Sequence, residues 1–129
     1  MAGEDVQQTD RITDAEHAVM EALWERSPQT ATEVAEVVGA ARGWGLATVK
    51  TLLSRLVTKQ AIAATPDGKR FLYVPRMARA DYLGGESRRL VDRLFGGRAA
   101  PLFAHLAEHE ALTAADMDEI EALLRKLRS

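Results

Sequence analysis

Apolar positions recur at helical spacing in two short segments near the start of the chain. The first segment opens with a capping box at residues 13–16 and stops at the Ser-Pro pair of residues 27–28. A second capping box, at residues 30–33, opens the next segment, which Gly39 and Gly43 are predicted to close. The pattern therefore predicts two short helices joined by a tight connection.

A third helix is predicted over residues 46–59. Its apolar positions follow the series i, i+3, i+4, i+7, i+8, and they are Val49, Leu52, Leu53, Leu56 and Val57. The opposite face carries small, hydroxyl and basic side chains and no acid, namely Ala47, Thr48, Lys50, Thr51, Ser54, Arg55 and Thr58. An ordinary solvated helix face more often mixes Glu with Lys. We interpret this face as one that enters a DNA major groove, with hydroxyls on base edges or phosphates and cations on phosphates.

Residues 61–75 change character, because two β-prone runs, 62–65 and 70–74, flank the sequence Pro-Asp-Gly-Lys. An Asp-Gly pair between such runs predicts a β-hairpin, and Pro75 ends its second strand. Lys69 and Arg70 at the hairpin tip are placed to touch phosphates or the neighbouring minor groove. Helix, helix, turn, helix and basic hairpin is the element order of a winged helix-turn-helix.

Three further helices are predicted after residue 78, the first ended by Gly96 and Gly97 and the last capped by Thr113. Residues 77–129 are too few and too thinly apolar to form a stable core alone. Their apolar positions indicate a surface for a second copy of the chain, formed by Leu90, Leu94, Leu106, Met117, Ile120, Leu123, Leu124 and Leu127. The alternative is that this stripe packs on the chain's own winged helix.

The predicted fold is mainly α with a small β-hairpin, in three parts. Residues 1–11 form a flexible N-terminal tail, residues 12–76 a winged helix-turn-helix domain, and residues 77–129 a helical dimerisation region. The length of 129 residues suits one small domain with such an appendage.

Charge is unevenly distributed, although the whole chain carries only −2. Residues 1–41 have a balance of −7, residues 42–76 of +6 and residues 77–129 of −1. A basic segment inside an acidic protein attracts polyanions. This segment contains the third helix and the hairpin, so charge and pattern favour the same partner.

Composition excludes several kinds of site. Cysteine is absent, which excludes thiol nucleophiles, disulfides and thiolate metal sites. No nucleophile, phosphate loop or carboxylate pair supports catalysis, so we expect neither an enzyme nor a bound cofactor. No apolar run approaches the length of a bilayer span, so we expect a cytoplasmic protein without direct membrane association.

From residue 12 to residue 75 the sequence resembles the penicillinase-repressor family of winged-helix repressors. The resemblance is carried by residues 12–16, by Trp44 and, most specifically, by residues 48–56, Thr-Val-Lys-Thr-Leu-Leu-Ser-Arg-Leu. It continues beyond the hairpin and covers nearly the whole chain apart from the N-terminal tail. The family's Ser-Pro-Lys after the tryptophan is replaced here by residues 45–47, Gly-Leu-Ala, which removes a cap and one basic contact.

The resemblance implies a homodimeric transcriptional repressor that binds inverted-repeat operators in double-stranded DNA. It assigns base reading to Thr48 and Thr51 and phosphate contacts to Lys50 and Arg55. In family members tied to antibiotic (β-lactam) resistance, a membrane sensor protease inactivates the repressor by cutting one helix of the C-terminal region. The corresponding bond in this chain is His105–Leu106.

Two other functions fit parts of the pattern. A protein-interaction module would dock its winged helix on a protein partner, and its basic face would be incidental. A hydrolytic metal enzyme would use His105 and His109, which lie four residues apart on one helix face. The HExxH arrangement is absent and no third ligand is suitably spaced, so surface histidines are the favoured interpretation and no metal is expected.

Overall fold

The computed structural model describes residues 11–129, which are mostly helical with one two-stranded antiparallel sheet, as predicted. The elements are α1 (Asp14–Glu25), α2 (Ala31–Val34, continued by a π-helical segment Ala35–Gly39 and a last turn Ala40–Arg42), α3 (Leu46–Thr58), β1 (Ile62–Asp67), β2 (Arg70–Pro75), α4 (Arg79–Phe95), α5 (Ala99–Glu108) and α6 (Ala114–Arg128). The chain divides into two compact units, one ending at Tyr82 and the other comprising residues 83–129. The predicted tail, residues 1–11, lies outside the described residues except for Arg11.

Capping boxes begin three of the helices. At the start of α1, Thr13 Oγ1 accepts a hydrogen bond from Glu16 N at 3.1 Å, and Glu16 Oε1 accepts one from Thr13 N at 2.9 Å. Residues 30–33 repeat this arrangement at α2, and residues 113–116 repeat it at α6. Each box satisfies amide groups that the first turn of a helix leaves without partners. The helix starts predicted at Thr13, Thr30 and Thr113 are thus confirmed.

The end of α2 differs from the sequence prediction. Gly39 does not close the helix, which continues to Arg42 and ends at Gly43, where φ is +73°. Gly39 is required by a close approach instead, since a Cβ there would lie 2.5 Å from the backbone oxygen of Trp44. Trp44 N donates to Gly39 O at 3.0 Å. Glycine at position 39 therefore lets the chain fold back onto α2 and sets where α3 begins.

The core of the first unit lies between α1, α2, α3 and the start of β1. Its buried apolar residues are Val19, Met20, Ala22, Leu23, Val34, Val38, Val49, Leu52, Leu53, Leu56, Ala61 and Ile62. Four of them come from the predicted inner face of α3, and burying each such side chain contributes roughly 1.5–3 kcal/mol. This burial fixes the rotation of α3 about its own axis, so its other face is turned to solvent.

A buried ion pair joins the end of α3 to the start of α1. Glu16 is buried, and its Oε1 accepts a hydrogen bond from Lys59 Nζ. Lys59 Nζ also donates to Arg11 O at 2.8 Å. Burial acts to raise the pKa of Glu16, but the hydrogen bonds from Lys59 and Thr13 and the charge of Lys59 outweigh it and hold that pKa below the ordinary 4.5. The carboxylate is therefore charged at neutral pH and anchors α3.

β1 and β2 form the predicted hairpin and pair along their whole length. Pro66 and Asp67, which the sequence assigns to the turn, lie in β1, and only Gly68 and Lys69 form the loop. The ladder is longer than predicted because Asp67 pairs with Arg70. Gly68 has a φ of +66°, which two-residue hairpin turns require.

Gln29 attaches the hairpin to the helices. Its N donates to Tyr73 O at 3.2 Å, and Tyr73 N donates to Gln29 O at 2.8 Å. The buried side-chain amide of Gln29 donates to Ala22 O at 2.9 Å, near the end of α1. The hairpin is thereby fixed relative to the helices of the first unit.

The second unit, residues 83–129, contains no buried residue. Gly96 and Gly97 end α4 with positive φ, as predicted. The apolar stripe of α6 is open to solvent, with 49% of Met117, 58% of Leu123 and 80% of Leu127 exposed. The helices of this unit therefore enclose no core of their own. No helix formed by residues 11–129 is long and apolar enough to span a membrane.

Candidate nucleic-acid interface

The candidate interface consists of the outward face of α3 and the tip of the hairpin. All seven positions that the sequence assigns to the outward face are exposed: Ala47, Thr48, Lys50, Thr51, Ser54, Arg55 and Thr58. The inner face is buried, so α3 cannot rotate this surface inward without exposing the core. No acidic residue belongs to α3, and the face is therefore positively charged and rich in hydroxyl groups.

The threonine hydroxyls on this face are oriented by the helix itself. Thr51 Oγ1 donates to Ala47 O at 3.1 Å, and Thr58 Oγ1 donates to Ser54 O at 3.1 Å. A hydroxyl that donates to its own helix still has acceptor capacity. Thr51 can thus accept a hydrogen bond from a base amino group or place its methyl group against a thymine methyl.

A groove of about 770 Å³ separates α3 from the hairpin and brings four of the predicted DNA contacts together. Lys50 and Ser54 line it from α3, and Lys69 and Arg70 line it from the hairpin. The other three predicted contacts are exposed on α3 but do not line the groove, namely Thr48, Thr51 and Arg55. Three cations along one groove form a surface that suits a phosphate backbone.

Two carboxylates modify the charge of this groove. Asp67 Oδ2 accepts a hydrogen bond from Arg70 Nε at 3.2 Å in an exposed ion pair, a kind that contributes at most about 1 kcal/mol. Glu33 lines the groove, and the hydrogen bond from Thr30 N is the main reason that its pKa lies below the ordinary value. Glu33 therefore keeps its negative charge at neutral pH and opposes a phosphate on that wall.

Sequence reasoning missed Glu33 and Phe71 as residues of this surface. Phe71 lines the groove beside the hairpin cations, with 49% of its surface exposed. Strand alternation places it on the same face as the half-buried Tyr73, which suggests a core position. The sequence signal that could have identified Phe71 as part of this surface is its position directly after Lys69 and Arg70. The sequence carries no such signal for Glu33, because its role in the capping box of α2 already explains why a glutamate is present there.

In the second unit, the bond His105–Leu106 lies inside α5. His109 N donates to His105 O at 3.1 Å, and Ala111 N donates to Leu106 O at 2.9 Å. The ring centroids of His105 and His109 are 4.6 Å apart. Within residues 11–129 no group of three or more His, Cys, Asp or Glu side chains could hold a metal ion. The two histidines thus lack a third ligand from the described part of the chain.

The chain is similar to known repressors along most of its length. Residues 12–126 match the family model for the penicillinase repressor. The chain is 27% identical over 116 residues to the penicillinase repressor of Bacillus licheniformis, which covers 90% of this chain and 91% of that protein. It is 35% identical over 123 residues to the transcriptional regulator BlaI of Mycobacterium tuberculosis, which covers 91% and 83% respectively.

A solved structure gives the same result for the winged-helix part. The solution structure of the DNA binding domain of the repressor BlaI superposes with a TM-score of 0.52 at 33% identity, over 56% of this chain and 88% of that one. The family model covers both compact units. The chain belongs to the penicillinase repressor family.

Proposed function

We propose that this chain is a DNA-binding transcriptional repressor that acts in the cytoplasm as a homodimer on inverted-repeat operators. The observation that carries the proposal is the orientation of α3, whose hydroxyl and basic face is exposed while its apolar face is buried. Helix-turn-helix proteins place such a helix in the major groove. Membership of a repressor family supports the same function.

The residues of the interface divide into two roles. Thr48 and Thr51 lie in the first half of α3 and read base edges. Lys50 and Arg55 neutralise phosphates on either side of α3, and Lys69 and Arg70 of the hairpin do so at the neighbouring backbone, with Ser54 completing the groove between them. Phosphate contacts fix the position of α3 on the duplex, and base contacts give sequence preference.

Residues 77–129 serve as the dimerisation region in this proposal. The second unit has no buried residue, and its exposed leucines repeat at the spacing of a helix–helix seam. A second copy covers this stripe and supplies the core that one chain lacks. Two-fold symmetry of the protein then matches the two-fold symmetry of an inverted repeat.

The same region is also where we propose that proteolysis releases the repressor. Cutting His105–Leu106 separates α6 from the rest of the chain and removes most of the dimer seam. Because the bond lies inside α5, that helix must unwind locally before a protease can act on it. We assign the regulated genes to the β-lactam-resistance type and the protease to a membrane sensor. Mass spectrometry of the protein from β-lactam-treated cells should detect a fragment ending at His105, and a wholly intact chain would contradict this step.

Selection from a pool of random-sequence duplexes tests DNA binding directly. The wild-type protein should enrich an inverted repeat and bind it more weakly as salt rises. Arg55→Ala should weaken binding to all duplexes alike and reduce the salt slope by about 0.9 for each phosphate that is no longer neutralised, or by about 1.8 for a dimer. Thr51→Val keeps the shape and a methyl group but removes the hydroxyl. It should change the preferred base at one position of each half-site, with a cost of roughly 1–3 kcal/mol for the original base.

Arg93→Ala is the matched control, because Arg93 is an exposed arginine of α4 outside the candidate interface. This variant should keep both the selected sequence and the salt slope. Failure to enrich any duplex, or binding that does not change with salt, would contradict the proposal. A stable complex with a protein partner in place of DNA would favour the docking-module alternative.

A further inference from the structure

Arg42 lies on a tryptophan ring at the turn that precedes α3. Its guanidinium carbon is 5.3 Å from the centroid of the Trp44 ring. Arg42 is exposed, whereas Trp44 is half-buried and packs against the core. A guanidinium over the face of an indole is held there by cation–π attraction. The charge is therefore held at this turn, although the side chain is long and solvent-exposed.

The backbone that carries the ring is itself fixed. Trp44 N donates to Gly39 O, and the carbonyl of Trp44 approaches Gly39 so closely that no other residue fits at position 39 without a shift. Gly43, between Arg42 and Trp44, adopts φ of +73° and turns the chain. The close-packed turn thus fixes the backbone that carries the Trp44 ring, and the cation–π contact favours a position of the guanidinium on that ring before any ligand binds.

The surroundings of Arg42 favour an anion. Among residues 11–129 no carboxylate forms an ion pair with its guanidinium. Gly45, the N-cap of α3, provides no side-chain cap, and the first turn of α3 contains no acid. The amide groups of that turn and the guanidinium consequently present positive charge at the same end of α3.

We propose that Arg42 binds a backbone phosphate at the N-terminal end of α3 and that Trp44 orients it to do so. The proposal rests on the DNA binding proposed above. It adds a phosphate-binding residue, Arg42, and a positioning residue, Trp44. Arg42 does not line the groove between α3 and the hairpin, where Lys50, Lys69 and Arg70 lie. The duplex is thereby held at two separate places, one beside the hairpin and one at the start of α3. Two anchors determine how α3 is aligned in the groove better than one.

The test measures affinity against salt for the duplex that the wild-type protein selects. Arg42→Ala should weaken binding by about tenfold and lower the salt slope by about 0.9 for each phosphate that is no longer neutralised, or by about 1.8 for a dimer. Arg42→Lys keeps the charge but lacks the planar group that stacks on indole. Its salt slope should match that of the wild-type protein, with affinity reduced by a factor of two to five, roughly.

Arg93→Ala again serves as the control, since it removes the same charge from an exposed site in α4. Circular dichroism and the thermal midpoint establish that each variant is folded. An Arg42→Ala slope equal to that of Arg93→Ala would overturn the proposal. A salt slope for Arg42→Lys as low as that for Arg42→Ala would also overturn it. Failure of the wild-type protein to select any duplex would instead remove the DNA-binding proposal on which this one depends.

Discussion

Gln60 occupies a backbone conformation that a residue with a Cβ disfavours. Its φ is +64°, in the left-handed region, directly after the C-cap of α3. Gln60 N donates to Val57 O at 3.0 Å, and Ala61 N donates to Leu56 O at 3.0 Å. This is the Schellman arrangement, in which glycine is usual at the left-handed position. Left-handed geometry costs roughly 1–2 kcal/mol for an L-residue, and at Gln60 this cost lowers the stability of the folded protein.

Replacing Gln60 with glycine should stabilise the protein. We expect Gln60→Gly to raise the free energy of unfolding by about 1 kcal/mol, because it removes the left-handed penalty but adds entropy to the unfolded chain. Gln60→Ala retains a Cβ and should give no comparable gain, so it is the matched control. Urea denaturation of both variants measures the effect, and equal midpoints for the two variants would show that the backbone is unstrained at this position.

Single residues were predictable where their role is local. The threonine caps at positions 13, 30 and 113 follow from a hydroxyl three residues before a carboxylate or at the start of an apolar run. Gly39 and Gln60 were not, since their conformations depend on residues that contact them only after folding. A glycine read as a helix end is, in the structure, the place where the Trp44 carbonyl approaches. Nothing in the sequence around Gln60 marks a left-handed position.

At the scale of elements, the ion pair between Glu16 and Lys59 sets how α3 is held against α1. Both groups are largely withdrawn from water, with 1% and 16% of their side chains exposed. Removing one partner of such a pair leaves the other buried without its opposite charge, at a cost of about 3 kcal/mol. Sequence periodicity predicted both helices but not this pair, because the two residues lie in different elements and neither lies on a predicted apolar face.

Lys59→Met should therefore destabilise the protein in a pH-dependent way. In the wild-type protein the pKa of Glu16 is lowered, so its contribution is present above pH 4.5 and is lost as pH falls through the folded-state pKa. Without Lys59, only the hydrogen bonds with Thr13 still oppose the effect of burial, so the pKa of Glu16 rises and less of this contribution remains at neutral pH. The loss relative to wild type should be about 3 kcal/mol at neutral pH and clearly smaller below pH 4.5.

Urea denaturation at neutral and acidic pH checks this expectation. Lys69→Met is the matched control, since Lys69 is an exposed lysine at the hairpin tip, and it should change stability little at either pH. A loss for Lys59→Met that is the same at both pH values would mean that Glu16 is not coupled to Lys59. The comparison with wild type removes the contribution of every other titrating group.

At the scale of the whole molecule, the sequence predicts which helices and strands form, but it does not predict whether their apolar faces are all buried within one chain. Alternation and helical spacing predicted the elements of both. The apolar face of α3 could be assigned to the core, because α1 and α2 supply matching apolar faces within the same chain. The stripe on α6 has no such partner among residues 83–129, where nothing is buried. What covers that stripe is a property of the assembly, which one chain's pattern does not contain.

Aspartate at Leu123 and Leu127 should convert the proposed dimer to a monomer. The two side chains are 58% and 80% exposed in one chain, so their replacement costs a single chain little but places charges in a dimer seam. A dimer gains from binding two half-sites at once, an advantage of roughly 10² to 10⁴ in affinity. The variant should therefore bind an inverted repeat at least about 10²-fold more weakly, while its affinity for a single half-site stays unchanged.

Ala122→Asp provides the control, because Ala122 is exposed on the opposite side of α6 at about 100° per residue. It adds a charge to the same helix, and the protein should remain a dimer with full affinity for the inverted repeat. Analytical ultracentrifugation gives the mass of each species, and titration of full and half sites gives the affinities. A Leu123, Leu127 variant that sediments as a dimer would place the seam elsewhere. A monomeric variant that keeps full affinity would instead mean that each α3 finds its half-site without help from the second copy, and that proteolytic removal of α6 could not release the operator.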